Sequence, residues 1–509
     1  MKKIARIYYT SDVHGYLFPT SYGDKMERPM GLINCISNFQ KDENTLIFDG
    51  GDTIQGSPLA SYLTEHSSQL EGREPIAEVY NEAGYDAVVP GNHDFNFGYE
   101  RLAHYMGSLT GYCLLANGKD LKGETGIRSS HIFTLGNGLR IGVTGIVTDY
   151  VNIWENPSHL KQIKITDSYE AAKEELKHLK KNSDITICIY HGGFECDLDT
   201  GTVLTTGNEN IGYRILKELD YDILLTAHQH MSVKGKTIFG THTLQLAANA
   251  VQYGNIEIQY EDGELTVASS ICPAGLRHEK EPYQSLLTLE HKVQEWLDLE
   301  IGSLEKAIPE KEKLEMALYG SGVADFFNQI QLLYTGADLS LIGLGNNPIS
   351  LPEHITMRDL VRVYPFSNTL VVLEVTEAVL KQALERCAEY FTGTEGTIAI
   401  SDAFLKPKVE HYNYDYFSGI TYEVDLKKPV GSRVRTILFH GQPIGDRKLS
   451  LCMSDYRASG TGGYQIYKTC RVLKRFGTEV PQLALAYLKD HPAAKVVRNG
   501  GLVFHNPQL

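Results

Sequence analysis

VVPGNHDFNFG, residues 88–98, decides how this chain is read. Two valines end an apolar run, a Pro-Gly pair turns it, and Asn92, His93 and Asp94 follow in a row. An open α/β sheet builds its site in this way, with polar side chains set just beyond the C-terminal ends of its strands. Four other stretches share the pattern. TSDVHG (10–15) offers Asp12 and His14, and DGGDT (49–53) offers Asp52. IYHGG (189–193) offers His191, and TAHQH (226–230) offers His228 and His230. A lone D-x-H or a single strand-end histidine is ordinarily structural. Five such stretches in order are hard to ascribe to chance.

Between these stretches, strand-like and helix-like patterns alternate. Strands are expected at 5–10, 45–50, 86–91, 139–147, 184–192 and 221–228, with a helix over 168–182. That alternation predicts a layered α/β domain. KTIFGTHTLQLAA (236–248) and GNIEIQYEDGELTVAS (254–269) read as antiparallel strands closing the domain near residue 275. Apolar residues at helical spacing over 283–304 predict one amphipathic helix joining two domains. SGVADFFNQIQLLYTGADLSLI (321–342) then reads as helix followed by strand. Tyr412, Tyr414 and Tyr416 alternate, as on one face of a half-buried strand.

A chain of 509 residues is too long for one core, so at least two domains are expected. The formal net charge of -15 argues against a nucleic-acid polymer or an anionic membrane as partner. No apolar run is long enough to span a bilayer, and no signal peptide is visible. The eight cysteines are scattered, with no paired spacing, and read as free thiols in a reducing, cytoplasmic setting. Cys188 falls inside an apolar strand and reads as core.

Three acid or amide ligands (Asp12, Asp52, Asn92) and four histidines (His14, His191, His228, His230) exceed what one tetrahedral ion needs. They suit two divalent ions sharing a carboxylate. Hard oxygens mixed with imidazoles favour Mn²⁺ or Zn²⁺, with Fe²⁺ also compatible. Two such ions can activate water and clamp a phosphoryl group.

In this order, D-x-H, G-D, G-N-H-D, a lone H and H-x-H resemble the calcineurin-like metallophosphoesterases. DGGDTIQGSPL, GNHDFNFG, MRDLVRVYPFSNTL, YNYDYFSGITYEVD and YRASGTGG are similar to the two-domain 5'-nucleotidase superfamily. Within it they sit closest to the 2',3'-cyclic-nucleotide 2'-phosphodiesterase/3'-nucleotidase branch. The resemblance implies a four-layer α/β/β/α catalytic domain (1–280), a linker helix (281–304) and a C-terminal α/β nucleotide-binding domain (305–509), rotating about the linker. It implies one ion held by Asp12, His14, Asp52 and His230, and a second held by Asp52, Asn92, His191 and His228. His93 would face the phosphate, oriented by Asn96, where many 5'-nucleotidases carry Asp. The base would stack between Tyr414 and Tyr456, with Tyr412 the rival of Tyr414.

The 5'-nucleotidases also carry an Arg in a Gly-rich loop. Here IGLGNNPIS places Asn346 and Asn347 there, and YRASGTGGY lacks the usual ribose-binding carboxylate. Arg457 reads as a solvated or interdomain charge. The implied activity is hydrolysis of 2',3'-cyclic nucleotides and nucleoside monophosphates by in-line attack of a metal-held hydroxide. A 5'-nucleotidase or UDP-sugar hydrolase, a catalytically silent nucleotide sensor, and an exported enzyme whose leader is missing from this chain remain as alternatives.

Overall fold

The structure is a computed structural model. It describes residues 2–204, 207–276, 283–347, 349–366, 368–394, 397–406, 409–476 and 478–505. The chain divides into two compact units, Met1–Gln294 and Glu295–Leu509.

The first unit is built on two six-stranded sheets. In the first, Lys3–Thr10, Thr45–Asp49, Ala87–Val88 and Tyr112–Cys113 run parallel, and Gln252–Glu261 pairs antiparallel to Lys3–Thr10. The Gln252–Glu261/Glu264–Pro273 hairpin closes that edge, as expected. In the second, Arg140–Val147, Ile185–His191, Ile223–Thr226 and Thr241–Gln245 run parallel, with antiparallel strands Ser130–Thr134 and Val233–Ile238 at its edges. Thr241–Gln245 pairs antiparallel with Val233–Ile238, as expected, but its other edge joins Ile223–Thr226 in a parallel ladder that the sequence did not reveal. A strand buried on both faces has no alternation to reveal its partner.

The period-2 rule sorts the layers. Leu46 and Phe48 point into the apolar layer between the sheets, where they meet Val143, Ile187 and Leu225. Asp49 faces the other way and accepts from Tyr80 of helix Pro75–Ala83 at 3.0 Å. On the far side of the second sheet, Cys188, Tyr190 and Leu224 pack on Ala172, Leu176 and Leu179 of helix Ser168–Asn182. The order is helix, sheet, sheet, helix. Its parallel strands bring the stretches after residues 10, 49, 88, 191 and 226 to their C-terminal ends.

Residues 281 and 282 of the expected linker lie outside the described residues. The helix itself spans Gln284–Leu297, not 283–304. Glu300–Ser303 is instead a strand paired with His354–Thr356. Its helical spacing was real only as far as Leu297, since "EIGS" also satisfies the period of a strand.

The second unit holds a five-stranded mixed sheet, in the order Asp415–Ser418, Leu339–Gly343, Leu449–Ser454, Leu370–Val375 and Arg471–Phe476. A four-stranded sheet is centred on Ile420–Val424 and Val434–Phe439. The expected helix-strand pair is present as Gly322–Thr335 and Leu339–Gly343. Ser321 caps the helix and Gly336 ends it in the left-handed conformation. Among the described residues, no helix is long and apolar enough to cross a membrane. All eight cysteines are free thiols, and Cys188 is fully buried in its strand.

Candidate metal centre

Five of the seven expected ligands sit in left-handed backbone: Asp12 (φ 52°), His14 (51°), Asp52 (58°), His228 (73°) and His230 (55°). Non-glycine residues rarely adopt this conformation, and where they do so in a cluster, strain is being held for a purpose. Each strand ends and its chain curls, so a side chain that would have stood out from one face of the sheet is aimed across its end.

The loops are fitted to one another at close range. A Cβ on Gly91 would lie 2.1 Å from Asp52 Oδ1 and 2.5 Å from His191 Cε1. The Pro-Gly turn therefore makes room for two ligands. Asp94 holds the turn. Its carboxylate accepts the backbone N–H groups of Asp52, Thr53, Ile54 and Gly91 at 2.9, 2.7, 2.9 and 2.7 Å. It ties the Asp52 loop to the Asn92 loop.

Second hydrogen bonds choose which imidazole nitrogen faces inward. His14 Nδ1 lies 2.9 Å from Gln55 O and His191 Nδ1 lies 2.6 Å from Gly50 O, which leaves Nε2 of each for an ion. His228 is turned the other way. Its Nε2 lies 3.3 Å from Glu209 Oε1, and its Nδ1 lies 2.8 Å from Asn92 Oδ1. Trp154 stacks on the same ring, 5.5 Å between centroids.

The inward atoms form two groups with one member in common. Asp12, His14, Asp52 and His230 bring ligand atoms within 4.8 Å of one another, and so do Asp52, His191 and His228. His14 Nε2 and His230 Nε2 face each other at 3.0 Å, and His191 Nε2 is 3.1 Å from Asn92 Oδ1. Asp12 Oδ2 and Asp52 Oδ2 are buried with no hydrogen-bond partner among the described residues. Lone pairs converging on orphaned carboxylate oxygens fit two divalent cations, with Asp52 between them.

Burial and charge act against each other within the cluster. Burial opposes charge on Asp52, yet His191, His93 and His14 hold it well below the usual carboxylate range. Burial also opposes charge on His191, but Asp52 raises its pKa to about 9. Burial lowers His14 to about 4, so its ring is neutral and ready to ligate near neutral pH.

His93 follows Asn92 but turns elsewhere. Its backbone N–H donates to Asp52 Oδ1 at 2.8 Å, and its Nδ1 lies 2.8 Å from Asn96 Oδ1. Asn96 Nδ2 donates in turn to Glu155 Oε2 at 2.7 Å. Neither Glu155 nor Glu209 was singled out in the sequence, because a lone glutamate in a loop carries no spacing signal.

In the second unit Tyr414 is corrected. It is 3% exposed, its hydroxyl donates to Ala317 O at 3.1 Å, and Tyr390, Phe391 and Tyr416 crowd its ring. No face is left for a base. The tyrosines do not share one strand face either. Tyr412 lies in a short turn, His411–Asn413, ahead of strand Asp415–Ser418.

Arg457 is also not solvated. It is 3% exposed and pairs with fully buried Asp415 at 2.9 Å. It donates to Tyr412 O at 3.0 Å and Thr461 O at 2.8 Å, which braces the Tyr412 turn against the segment after Tyr456. Tyr456 itself is 41% exposed. Asn346 donates to Val409 O at 2.8 Å and accepts from His411 N at 2.9 Å, so its amide braces the same turn. The cation beside that Gly-rich loop is Lys313, whose ammonium donates to Gly345 O at 2.5 Å.

Residues 5–232 match the calcineurin-like phosphoesterase family, and residues 301–469 match the 5'-nucleotidase C-terminal domain. The trifunctional nucleotide phosphoesterase protein YfkN of Bacillus subtilis is 24% identical over 94% of this chain, which spans 37% of that protein's length. A 2',3'-cyclic-nucleotide 2'-phosphodiesterase/3'-nucleotidase of Yersinia enterocolitica is 23% identical, covering 91% of this chain and 82% of the relative. A provisionally assigned 5'-nucleotidase from Staphylococcus aureus, solved with α-ketoglutarate, superposes with a TM-score of 0.85 and 29% identity, covering 99% of this chain and 100% of that one.

Proposed function

We propose that this chain, whose residues 5–232 match the calcineurin-like phosphoesterases and whose residues 301–469 match the 5'-nucleotidase C-terminal domain, hydrolyses 2',3'-cyclic nucleotides and nucleoside monophosphates to nucleoside and phosphate. The observation that carries the reading is the double cluster around Asp52 with His93 beside it. When bound, two divalent ions supply Lewis acidity that activates water and neutralises phosphoryl oxygens. Asp12, His14, Asp52 and His230 would hold one, and Asp52, Asn92, His191 and His228 the other. His93 presents its ring to the phosphate. The metal identity that the donors favour is Mn²⁺ or Zn²⁺.

Tyr456 and Tyr412 are the aromatics offered to a base. Tyr456 is exposed, and Tyr412 sits in the turn that Arg457 braces. The cyclic-nucleotide preference is supported by the loop at Asn346, which lacks the arginine of the 5'-nucleotidases, and by the missing carboxylate after Tyr456. The likeness to the Staphylococcus aureus structure favours a second reading, 5'-nucleotidase.

A substrate panel with Mn²⁺ tests both: 2',3'-cyclic AMP, 3'-AMP, 5'-AMP, UDP-glucose and bis-p-nitrophenyl phosphate. Efficiency on 2',3'-cyclic AMP should exceed that on 5'-AMP by about tenfold or more, a transition-state difference of about 1.4 kcal/mol. The reverse ranking promotes the 5'-nucleotidase reading. No hydrolysis of any member sinks both.

A further inference from the structure

The ring of His93 ends a chain of hydrogen bonds that runs through Asn96 to Glu155. His93 Nδ1 lies 2.8 Å from Asn96 Oδ1, and Asn96 Nδ2 donates to Glu155 Oε2 at 2.7 Å. Glu155 Oε1 accepts the Asn156 backbone N–H at 2.6 Å and faces His159 Nδ1 at 2.8 Å. Glu155 is 9% exposed, so water does not readily substitute for these partners.

The chain has a direction. An ionised carboxylate only accepts hydrogen bonds, so Glu155 compels Asn96 to turn its NH₂ toward it. The Asn96 oxygen is then left for His93, whose Nδ1 must carry a hydrogen. Nε2 is then the ring nitrogen that meets substrate. An asparagine with no such neighbour could flip and accept either imidazole tautomer.

Resting on the reading that His93 acts at the phosphate, we propose that Glu155 is a positioning residue which, through Asn96, fixes the tautomer and orientation of His93. This substitutes for a carboxylate placed directly against the histidine, one hydrogen bond further out.

The proposal makes two substitutions fail singly and succeed together. Asn96→Asp alone sets two carboxylates against each other where a 2.7 Å hydrogen bond stood. Glu155→Gln alone sets its NH₂ against that of Asn96, and the flip of Asn96 that relieves this turns the Asn96 NH₂ toward His93 and forces the other imidazole tautomer. In the double variant every donor meets an acceptor. The introduced glutamine amide donates to the introduced aspartate and still accepts from Asn156 and His159. The introduced aspartate accepts from His93 as well.

The test is this double-mutant cycle, read in two ways. The first is kcat and KM on bis-p-nitrophenyl phosphate with Mn²⁺. Each single variant should lose about tenfold in kcat with KM and metal content unchanged, as when a group behind an acting residue is altered. The double variant should recover to within about threefold of the parent, a coupling that independent sites do not show. The second is the unfolding temperature in chelator, which each single variant should lower and the double should restore. Losses that simply add in both measurements overturn the proposal. If the parent hydrolyses nothing, or His93→Ala leaves its rate intact, the functional reading fails instead, and the unfolding cycle still judges the relay.

Discussion

At the residue scale the two groups of ligands stand or fall on Asp52, the one side chain common to both. Asp52→Asn should lower kcat by about a thousandfold or more, because a neutral bridge cannot hold two dications close together. Metal content by elemental analysis should fall in parallel. Full occupancy with most of the rate retained would show that Asp52 is not the bridge. The tyrosines give a second test. Tyr412→Ala and Tyr456→Ala should each raise KM for nucleotides about tenfold, in line with roughly 1–3 kcal/mol per stacked base. They should leave p-nitrophenyl phosphate hydrolysis nearly unchanged. Tyr414→Ala removes a buried ring and should cost about 3–5 kcal/mol of stability instead. If Tyr412→Ala damages stability as Tyr414→Ala does, the assignment of Tyr412 to the base fails. The clustering of the candidate ligands was legible because each closes a short strand in a motif a few residues long. The choice between Tyr412 and Tyr414 was not, since alternate tyrosines look alike until the turn His411–Asn413 is seen to break the strand. Arg457 misled for a similar reason: its burial depends on Asp415, 42 positions away.

At the scale of elements, what makes the centre is the joining of loops. Asp94 gathers four backbone N–H groups from the Asp52 and Asn92 loops onto one carboxylate. Asp94→Ala should destabilise the protein in chelator by about 3 kcal/mol, since buried donors would be left without acceptors. It should also lower metal content, because the loop carrying Asn92 is released from the loop carrying Asp52. Chemical denaturation and elemental analysis check the two parts. Unchanged metal content in a destabilised variant would show that the loops hold their places without the staple. Sequence reading gave Asp94 a salt bridge or a supporting contact behind the ligands, without its partners. Its role comes from loops some 40 residues apart in the chain, which no local pattern records. Elements with a single buried stripe, such as helix Ser168–Asn182, were legible to the residue. The linker helix was overextended because its last turn borders a strand of mixed character.

At the scale of the molecule, two units with separate cores predict more than one unfolding step. Scanning calorimetry should resolve two transitions. Mn²⁺ should raise only the one belonging to residues 1–294, and adenosine only the other, since each ligand stabilises the unit that binds it. A single transition moved equally by both would contradict this division of labour. The division itself was legible from chain length and the two sets of motifs. The order of strands was not, and it carries a consequence for synthesis. Strand Lys3–Thr10, which leads into Asp12, lies between Thr45–Asp49 and Gln252–Glu261. A ribosome delivers the chain in order, so every ligand has emerged once His230 is free of the exit tunnel. The strand that aims Asp12 and His14 still waits, one edge bare, for partners made some 250 residues after it. Pairings this distant form slowly, and a bare edge invites the wrong neighbour. Nearly the whole first unit must be translated before its oldest strand can settle, and an ion arriving earlier would find its ligands made but not yet assembled.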